Sequence, residues 1–261
     1  MNNLLYEIEL ALKKYINSQK YTTDVFCKTL QEAMAYSLLN PGKRIRPLLL
    51  FACAQALRPN HKNFIKTCMN PAIALELIHT YSLIHDDLPC MDNDDFRRNK
   101  PSLHRKFTQG IAILAGDALL SDSFNLLAHH KNGHKLCYET SIRIGSHGLV
   151  GGQALDILSK SSPISKEDWQ IINNAKTAKL FELACVMAAI CVDASKEEIR
   201  LCKNFGMIYG QAFQLKDDID DKSGLFAYAQ TQDSLDEYKN QLINLLSSFN
   251  EPQFLSKLIA S

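Results

Sequence analysis

The stretch PAIALELIHTYSLIHDDLPCMDNDDFRR, residues 71–98, changes character halfway. Its first half is apolar with helical spacing and runs as far as Ile84. Its second half holds Asp86, Asp87, Asp92, Asp94 and Asp95, followed by Arg97 and Arg98. Pro89 bends or ends the helix, and Asp92 comes six residues after Asp86. A bare carboxylate cluster at the end of a buried helix is unfavourable, because like charges repel and desolvation penalises each one. A divalent cation resolves the conflict. Oxygen donors without a set of His or Cys ligands suit a hard ion, Mg²⁺ first among them. The plainer reading is a solvated acidic loop at a helix end, and this stretch taken by itself leaves both open.

A second stretch shifts the balance. YGQAFQLKDDIDD, residues 209–221, ends another helical run with Asp217, Asp218, Asp220 and Asp221. Asp217 and Asp221 stand four apart and share one helical face. Two helices that each end in paired aspartates suggest a facing pair of metal–carboxylate walls. Cations accompany them. PGKRIRP places Lys43, Arg44 and Arg46 just after a break, and Lys176-Thr177 lies mid-helix with Lys179 following. Arginine forks bind phosphate oxygens in pairs, and lysine acts as a point charge. Together these features point to a polyanion bridged by Mg²⁺, and a diphosphate is the natural candidate. Any one of these lysines is otherwise a charge on a solvated helix face. His79 lies two turns before Asp86 on the same face, where a hydrogen-bonded core histidine is the competing reading. GGQALDI, residues 151–157, carries Gln153 and Asp156, with paired glycines that mean either close helix packing or a cavity wall.

The rest of the chain bounds these readings. With 261 residues it forms one large domain or two ordinary ones. Lys+Arg 29 against Asp+Glu 28 leaves a net charge of +1, which argues against nucleic acid as a partner. Eight cysteines include no C-x-x-C pair, as expected of core thiols in a reduced cytosolic protein. The N-terminus is amphipathic and carries Glu7 and Glu9, without the features of a signal peptide. Apolar runs such as LACVMAAICV cover about half a membrane span. A cytoplasmic protein with no membrane span is expected. Periodicity predicts helices at about 66–87, 109–130, 134–158, 165–192, 196–221, 232–248 and 252–260, and a break at Asn40-Pro41-Gly42. The expectation is a single all-α domain, residues 1–261, of about ten helices.

GKRIRP, LELIHTYSLIHDDLPCMDNDDFRRNKPSLHRKF, AILAGDALL, GGQALDI, KTAKL and GQAFQLKDDIDD follow one another between roughly residues 40 and 221. In this order they resemble the short-chain trans-isoprenyl diphosphate synthases of the bacterial, geranyl-transferring type, with the long form of the first aspartate motif. The resemblance implies an all-α isoprenoid synthase fold around a central cavity, a homodimer, and head-to-tail condensation of isopentenyl diphosphate with an allylic diphosphate. It implies Mg²⁺, about three ions per active site, with Asp86, Asp92 and Asp217 as ligands and Asp87, Asp218 and Asp221 in support. It places Lys43, Arg46, His79 and Arg98 at the isopentenyl diphosphate, and Arg97, Lys176, Thr177 and Gln214 at the allylic diphosphate. No side chain is an evident general base, and the family's departing diphosphate takes the proton. Tyr81 and Ser82 stand about one turn before Asp86, on the order of 6–7 Å along the helix. An aromatic at that position implies a fifteen-carbon product, farnesyl diphosphate, with geranylgeranyl diphosphate as the nearest alternative.

The chain departs from that pattern after Asp221. There KSGLFAYAQ is shorter than the family's loop and lacks its glycine-lysine element, and Asp220 replaces an apolar residue. The shortened segment raises one alternative, a non-catalytic subunit of the same fold; the first aspartate wall raises a second, a class I terpene cyclase, and His85-Asp86 a third, an HD-type phosphohydrolase. Two aspartate walls weigh against the first. The DDIDD second motif weighs against the second, and the lack of a histidine set against the third.

Overall fold

The computed structural model describes residues 2–18, 25–160, 165–220 and 232–260. Asp221, the segment 222–231 and the Cys27 side chain lie outside them. In chain order the elements are α1 (Asn2–Ser18), α2 (Val25–Leu38), α3 (Ile45–Leu57) and α4 (Phe64–Asp86), then a hairpin of β1 (Phe96–Arg97) and β2 (Lys100–Pro101). Next come α5 (Leu103–Lys106), α6 (Gln109–Ala128), α7 (Gly133–Ile144), α8 (Leu149–Ser159) and α9 (Lys166–Asn173). A π turn (Asn174–Ala178), α10 (Lys179–Cys191), α11 (Lys196–Asp220), α12 (Gln232–Leu246) and α13 (Gln253–Ile259) complete the chain. The fold is all-α apart from the hairpin.

Most predicted helices stand where the periodicity puts them. The one expected at 134–158 does not, for it is two helices. Gly145 and Gly148 break it, and a Cβ at Gly148 would lie 1.9 Å from the Arg143 carbonyl oxygen. The chain can make that reversal with glycine there and with no other residue. The hairpin was unexpected. Arg98 and Asn99 both have positive φ, 53° and 62°, the signature of a type I′ turn.

The chain divides into two compact units, Met1–Leu48 with Met69–Lys131 and Leu49–Cys68 with Asn132–Ser261. In the first, α2 packs on α1 and α6, and Leu12, Met34, Leu75 and Leu119 are fully buried. Arg44 ties the unit together. It is 4% exposed and donates to Glu9 (2.7 Å), to Glu76 (2.7 Å) and to the carbonyls of Leu38 (2.9 Å) and Asn40 (3.1 Å). The Leu38 carbonyl is an acceptor that the end of α2 leaves unpaired. Apolar α6 is long enough to cross a membrane by length and hydropathy, which the longest apolar runs of the sequence did not suggest. It carries Asp117 and Asp122 along its length, and Asp122 accepts from the Tyr15 hydroxyl at 2.5 Å. Carboxylates in mid-span are costly in lipid.

In the second unit α10 is buried from Leu180 to Cys191, and it packs on α7 and α11. Glu182 sits within that apolar helix at 1% exposed, held by Arg143 and Lys179, each at 2.8 Å. A buried charge is stable when paired in this way. Cys53, Cys68, Cys185, Cys191 and Cys202 are buried free thiols, as expected, while Cys90 is exposed and Cys137 half-buried.

Candidate active site

The first acidic end is built by a loop that folds back on α4. The Asp92 amide donates to the Asp86 carbonyl at 2.8 Å, and the Asp94 amide to the Asp87 carbonyl at 3.2 Å. Asn93, with φ 57°, makes the reversal. These bonds bring the backbone of Asp92 beside that of Asp86. Asp87 has a different fate. It is 3% exposed, and Arg97 grips one of its oxygens through two nitrogens, Nε at 3.0 Å and Nη2 closer still. Burial pushes the Asp87 carboxyl above its ordinary range, and the Arg97 guanidinium opposes that rise. Arg97 also donates to Asp94 at 3.1 Å, and Asp95 pairs with Arg105 at 3.2 Å. Asp94 is therefore a half-exposed partner of Arg97, and Arg97 is presented already bound to carboxylates.

Beside this loop lies a cationic pocket whose lining includes Tyr36, Asn40, Arg44, His79, Arg97 and Arg98. The type I′ turn aims Arg98 back at the α2–α3 break, where Nη1 donates to the carbonyls of Asn40 (3.3 Å) and Pro41 (3.2 Å). Gly42 allows this approach, for a Cβ there would stand 2.7 Å from Arg98 Nη1. Arg46 Nη1 lies 3.3 Å from His79 Nε2, and Lys43 is exposed. The structure thus brings together Arg46, His79 and Arg98 within the first unit. It also adds Arg44, a cation of the same PGKRIRP stretch. The pocket holds about 30 Å³, roughly the room of one water.

Tyr81 is 5% exposed, with its ring edge-on to His85 at 5.7 Å and 81°. Its hydroxyl is buried without a hydrogen-bond partner among the described residues, and burial, then Asp86, pushes its pKa up to about 12. His85 is fixed in turn by the Ile113 carbonyl at 3.1 Å. Ser82 Oγ donates to the His79 carbonyl at 2.9 Å, so its hydroxyl is engaged along the helix.

In the second unit, Lys176 and Thr177 both fall in the π turn, a local irregularity often found at functional sites. Lys176 Nζ is held by Asp156 at 2.7 Å, which gives the aspartate of GGQALDI a partner. The glycines of that motif serve close packing, since a Cβ at Gly152 would lie 2.5 Å from the Lys176 amide nitrogen. The Thr177 hydroxyl donates to Gln214 Oε1 at 2.8 Å, and Gln214 Nε2 donates to Asp218 Oδ1 at 2.7 Å. Thr177, Gln214 and Asp218 therefore form one chain of hydrogen bonds, with Asp217 beside it at the end of α11.

Among the described residues no three His, Cys, Asp or Glu side chains converge to enclose a metal ion unaided. Mg²⁺ does not need such a cage. It keeps several waters and takes one or two carboxylates together with phosphate oxygens. Asp86 and Asp92, joined through their backbones, carry oxygen donors of the kind such an ion takes.

Comparisons with known proteins agree with this chemistry. The chain is 39% identical over 234 residues to the farnesyl diphosphate synthase of Bacillus subtilis, covering 86% of this chain and 78% of that one. It also matches plant geranylgeranyl pyrophosphate synthases, of which it spans about half the length. Its fold is similar to an FPP/GFPP synthase from Zymomonas mobilis, with TM-score 0.90, 29% identity and coverage of 99% and 97%. A geranyltransferase from Helicobacter pylori, solved with magnesium and isoprenyl diphosphate, gives TM-score 0.84, 29% identity and coverage of 99% and 95%. The sequence profile of the family described as Polyprenyl synthetase matches residues 27–244. Two acidic helix ends, a cationic pocket, an all-α fold and this match across most of the chain lead to one assignment: the chain belongs to the polyprenyl synthetase family.

Proposed function

We propose that the chain is a prenyltransferase that condenses isopentenyl diphosphate with dimethylallyl or geranyl diphosphate, giving farnesyl diphosphate and inorganic diphosphate. The observation that carries this reading is the acidic loop folded onto Asp86 beside a pocket lined by Arg44, His79, Arg97 and Arg98, with Arg46 Nη1 3.3 Å from His79. Carboxylates for a hard cation and cations for phosphate oxygens suit an organic diphosphate.

In this reading Lys43, Arg46, His79 and Arg98 hold the isopentenyl diphosphate. Lys176 and Arg97 meet the allylic diphosphate. Each is fixed by a carboxylate, Asp156 and Asp87 respectively, so neither loses much freedom when charge develops on the leaving group. Asp86, Asp92 and Asp217 are assigned to Mg²⁺, about three ions per active site, which when bound supplies positive charge opposite the diphosphate oxygens. The allylic C–O bond breaks to give a carbocation and diphosphate. The isopentenyl double bond adds to the cation and forms the new C–C bond, and a proton leaves to the released diphosphate. Gln214, held between Thr177 and Asp218, presents a fixed dipole on the allylic side. Water must be kept out, or the cation ends as an alcohol.

Incubation with isopentenyl and geranyl diphosphates plus Mg²⁺ yields a C15 product on this account, and a chelator abolishes it. No prenyl product would refute the reading. Tyr81 is assigned to cap the tail. Tyr81→Ala therefore shifts most of the product from C15 to C20 or longer, read by chromatography of dephosphorylated products. An unchanged C15 profile removes Tyr81 from this role.

We further assign the chain to the cytoplasm, as one domain of residues 1–261 acting as a homodimer. The dimer assignment draws on α6, where Ile113 and Leu114 are 43% and 54% exposed on an apolar helix. Leu114→Lys then shifts the protein to monomer in light scattering after size exclusion. A dimer that survives the substitution excludes this face.

A further inference from the structure

A guanidinium carries donors and no acceptor. With Arg46 Nη1 at 3.3 Å, His79 Nε2 therefore accepts, and the ring is neutral with its proton on Nδ1. The surroundings enforce that state. Arg46 comes from α3, and Arg44 from the residue before it. Arg97 and Arg98 come from the hairpin, and Tyr36 from α2. On the helix of His79 itself stands Glu76, and Asp87 follows its last residue, but Glu76 is bound by Arg44 and Asp87 by Arg97. One step further out, Glu9 on α1 is held by Arg44, and His104 on α5 faces Asp87 and Asp95. Glu9, Glu76 and Asp87 are thus each paired with an arginine, while Arg46 and Arg98 face the ring. Burial first, and then Arg46 and Arg98, hold the imidazole well below its ordinary value.

We infer that His79 takes a proton from solvent when a diphosphate settles among these arginines, changing from an acceptor for Arg46 into a donor toward a phosphate oxygen. The inference rests on the proposed isopentenyl diphosphate site and goes beyond it. The ligand brings negative charge close to Arg46 and Arg98, which cancels the repulsion and reverses the preference of the ring. No bond other than N–H changes, and the buffer supplies the proton. The sign follows from linkage. A group whose pKa is raised by the ligand adds affinity at pH values below the bound-state pKa and loses it as pH rises through that value. Binding of isopentenyl diphosphate therefore weakens toward alkaline pH.

Titration calorimetry with isopentenyl diphosphate alone, without Mg²⁺ or allylic substrate, tests this. Run at about pH 7.5 in two buffers of different ionisation enthalpy, it gives the proton count from the dependence of heat on buffer. The wild type takes up roughly one half to one proton more than His79→Gln. In the variant the carboxamide accepts from Arg46 and donates to phosphate without titrating, and helical CD checks that it is folded. Equal proton counts in two proteins that both bind would overturn the inference and leave the site standing. Should the variant not fold, the wild type decides by itself: net uptake supports the inference, and zero or net release overturns it. A flat titration of the wild type would overturn the site assignment and the inference together.

Discussion

Asp86→Asn lowers kcat by about 10²–10³-fold and leaves the helical CD signal in place. The substitution keeps the shape of the side chain and removes its charge. Since the Asp92 amide bonds to the backbone carbonyl of Asp86, the loop closes as before. What changes is the capacity to hold a hard cation. The loss should therefore appear in the chemical step and in the Mg²⁺ requirement, with little change in thermal midpoint. Asp217→Asn at the end of α11 behaves alike. Asp95→Asn is the control. Its carboxylate pairs with Arg105 in an exposed contact, which contributes little, so turnover stays near wild type. An Asp86→Asn enzyme with near-normal turnover would break the metal-wall argument.

The largest expected effect on stability is at Arg44. Arg44→Ala removes the partner of Glu76, which is 2% exposed. Leaving a buried charge uncompensated costs about 3–5 kcal/mol, on the order of a 10 °C fall in thermal midpoint for a chain of this size. It also removes the donor to the Leu38 carbonyl at the end of α2 and one of the two donors to the Asn40 carbonyl. Arg44 has φ 48° between Lys43 and Arg46, so its loss releases the turn that presents both. KM for isopentenyl diphosphate rises in consequence. Replacing both partners, Arg44→Met with Glu76→Leu, recovers much of the stability, because the penalty lies in the orphaned charge. A thermal midpoint within a few degrees of wild type in Arg44→Ala would contradict this account of the network.

What could be read from the sequence follows physical lines. The apolar run up to Ile84 and the aspartates behind it announced a helix with an acidic end, and α4 ends at Asp86. The break at Gly145 and Gly148 stayed hidden, because the spacing of apolar residues continues across it while the backbone does not. The hairpin at 96–101 was invisible for another reason. Two-residue strands have no period, and Arg98-Asn99 lacks the Asn-Gly signal of a type I′ turn. Among the cations of GKRIR, composition cannot tell which turns inward. The burial of Arg44 depends on Glu9 and Glu76, far away in sequence. The same applies to Arg97, whose hold on Asp87 arises from the folded-back loop, and to Lys176, whose partner Asp156 is twenty residues away on α8. Two charges expected to meet ligands directly are therefore also positioned by carboxylates, and the residue types alone could not reveal it.

The central claim is that bond cleavage in the allylic diphosphate is coupled to addition of isopentenyl diphosphate. The most direct measurement follows released inorganic diphosphate and consumed isopentenyl diphosphate in the same reaction, with geranyl diphosphate and Mg²⁺ present. One diphosphate is released for each isopentenyl diphosphate consumed, and release is negligible when isopentenyl diphosphate is withheld. Equally rapid release from geranyl diphosphate alone, as a cyclase or a phosphohydrolase would give, would contradict it.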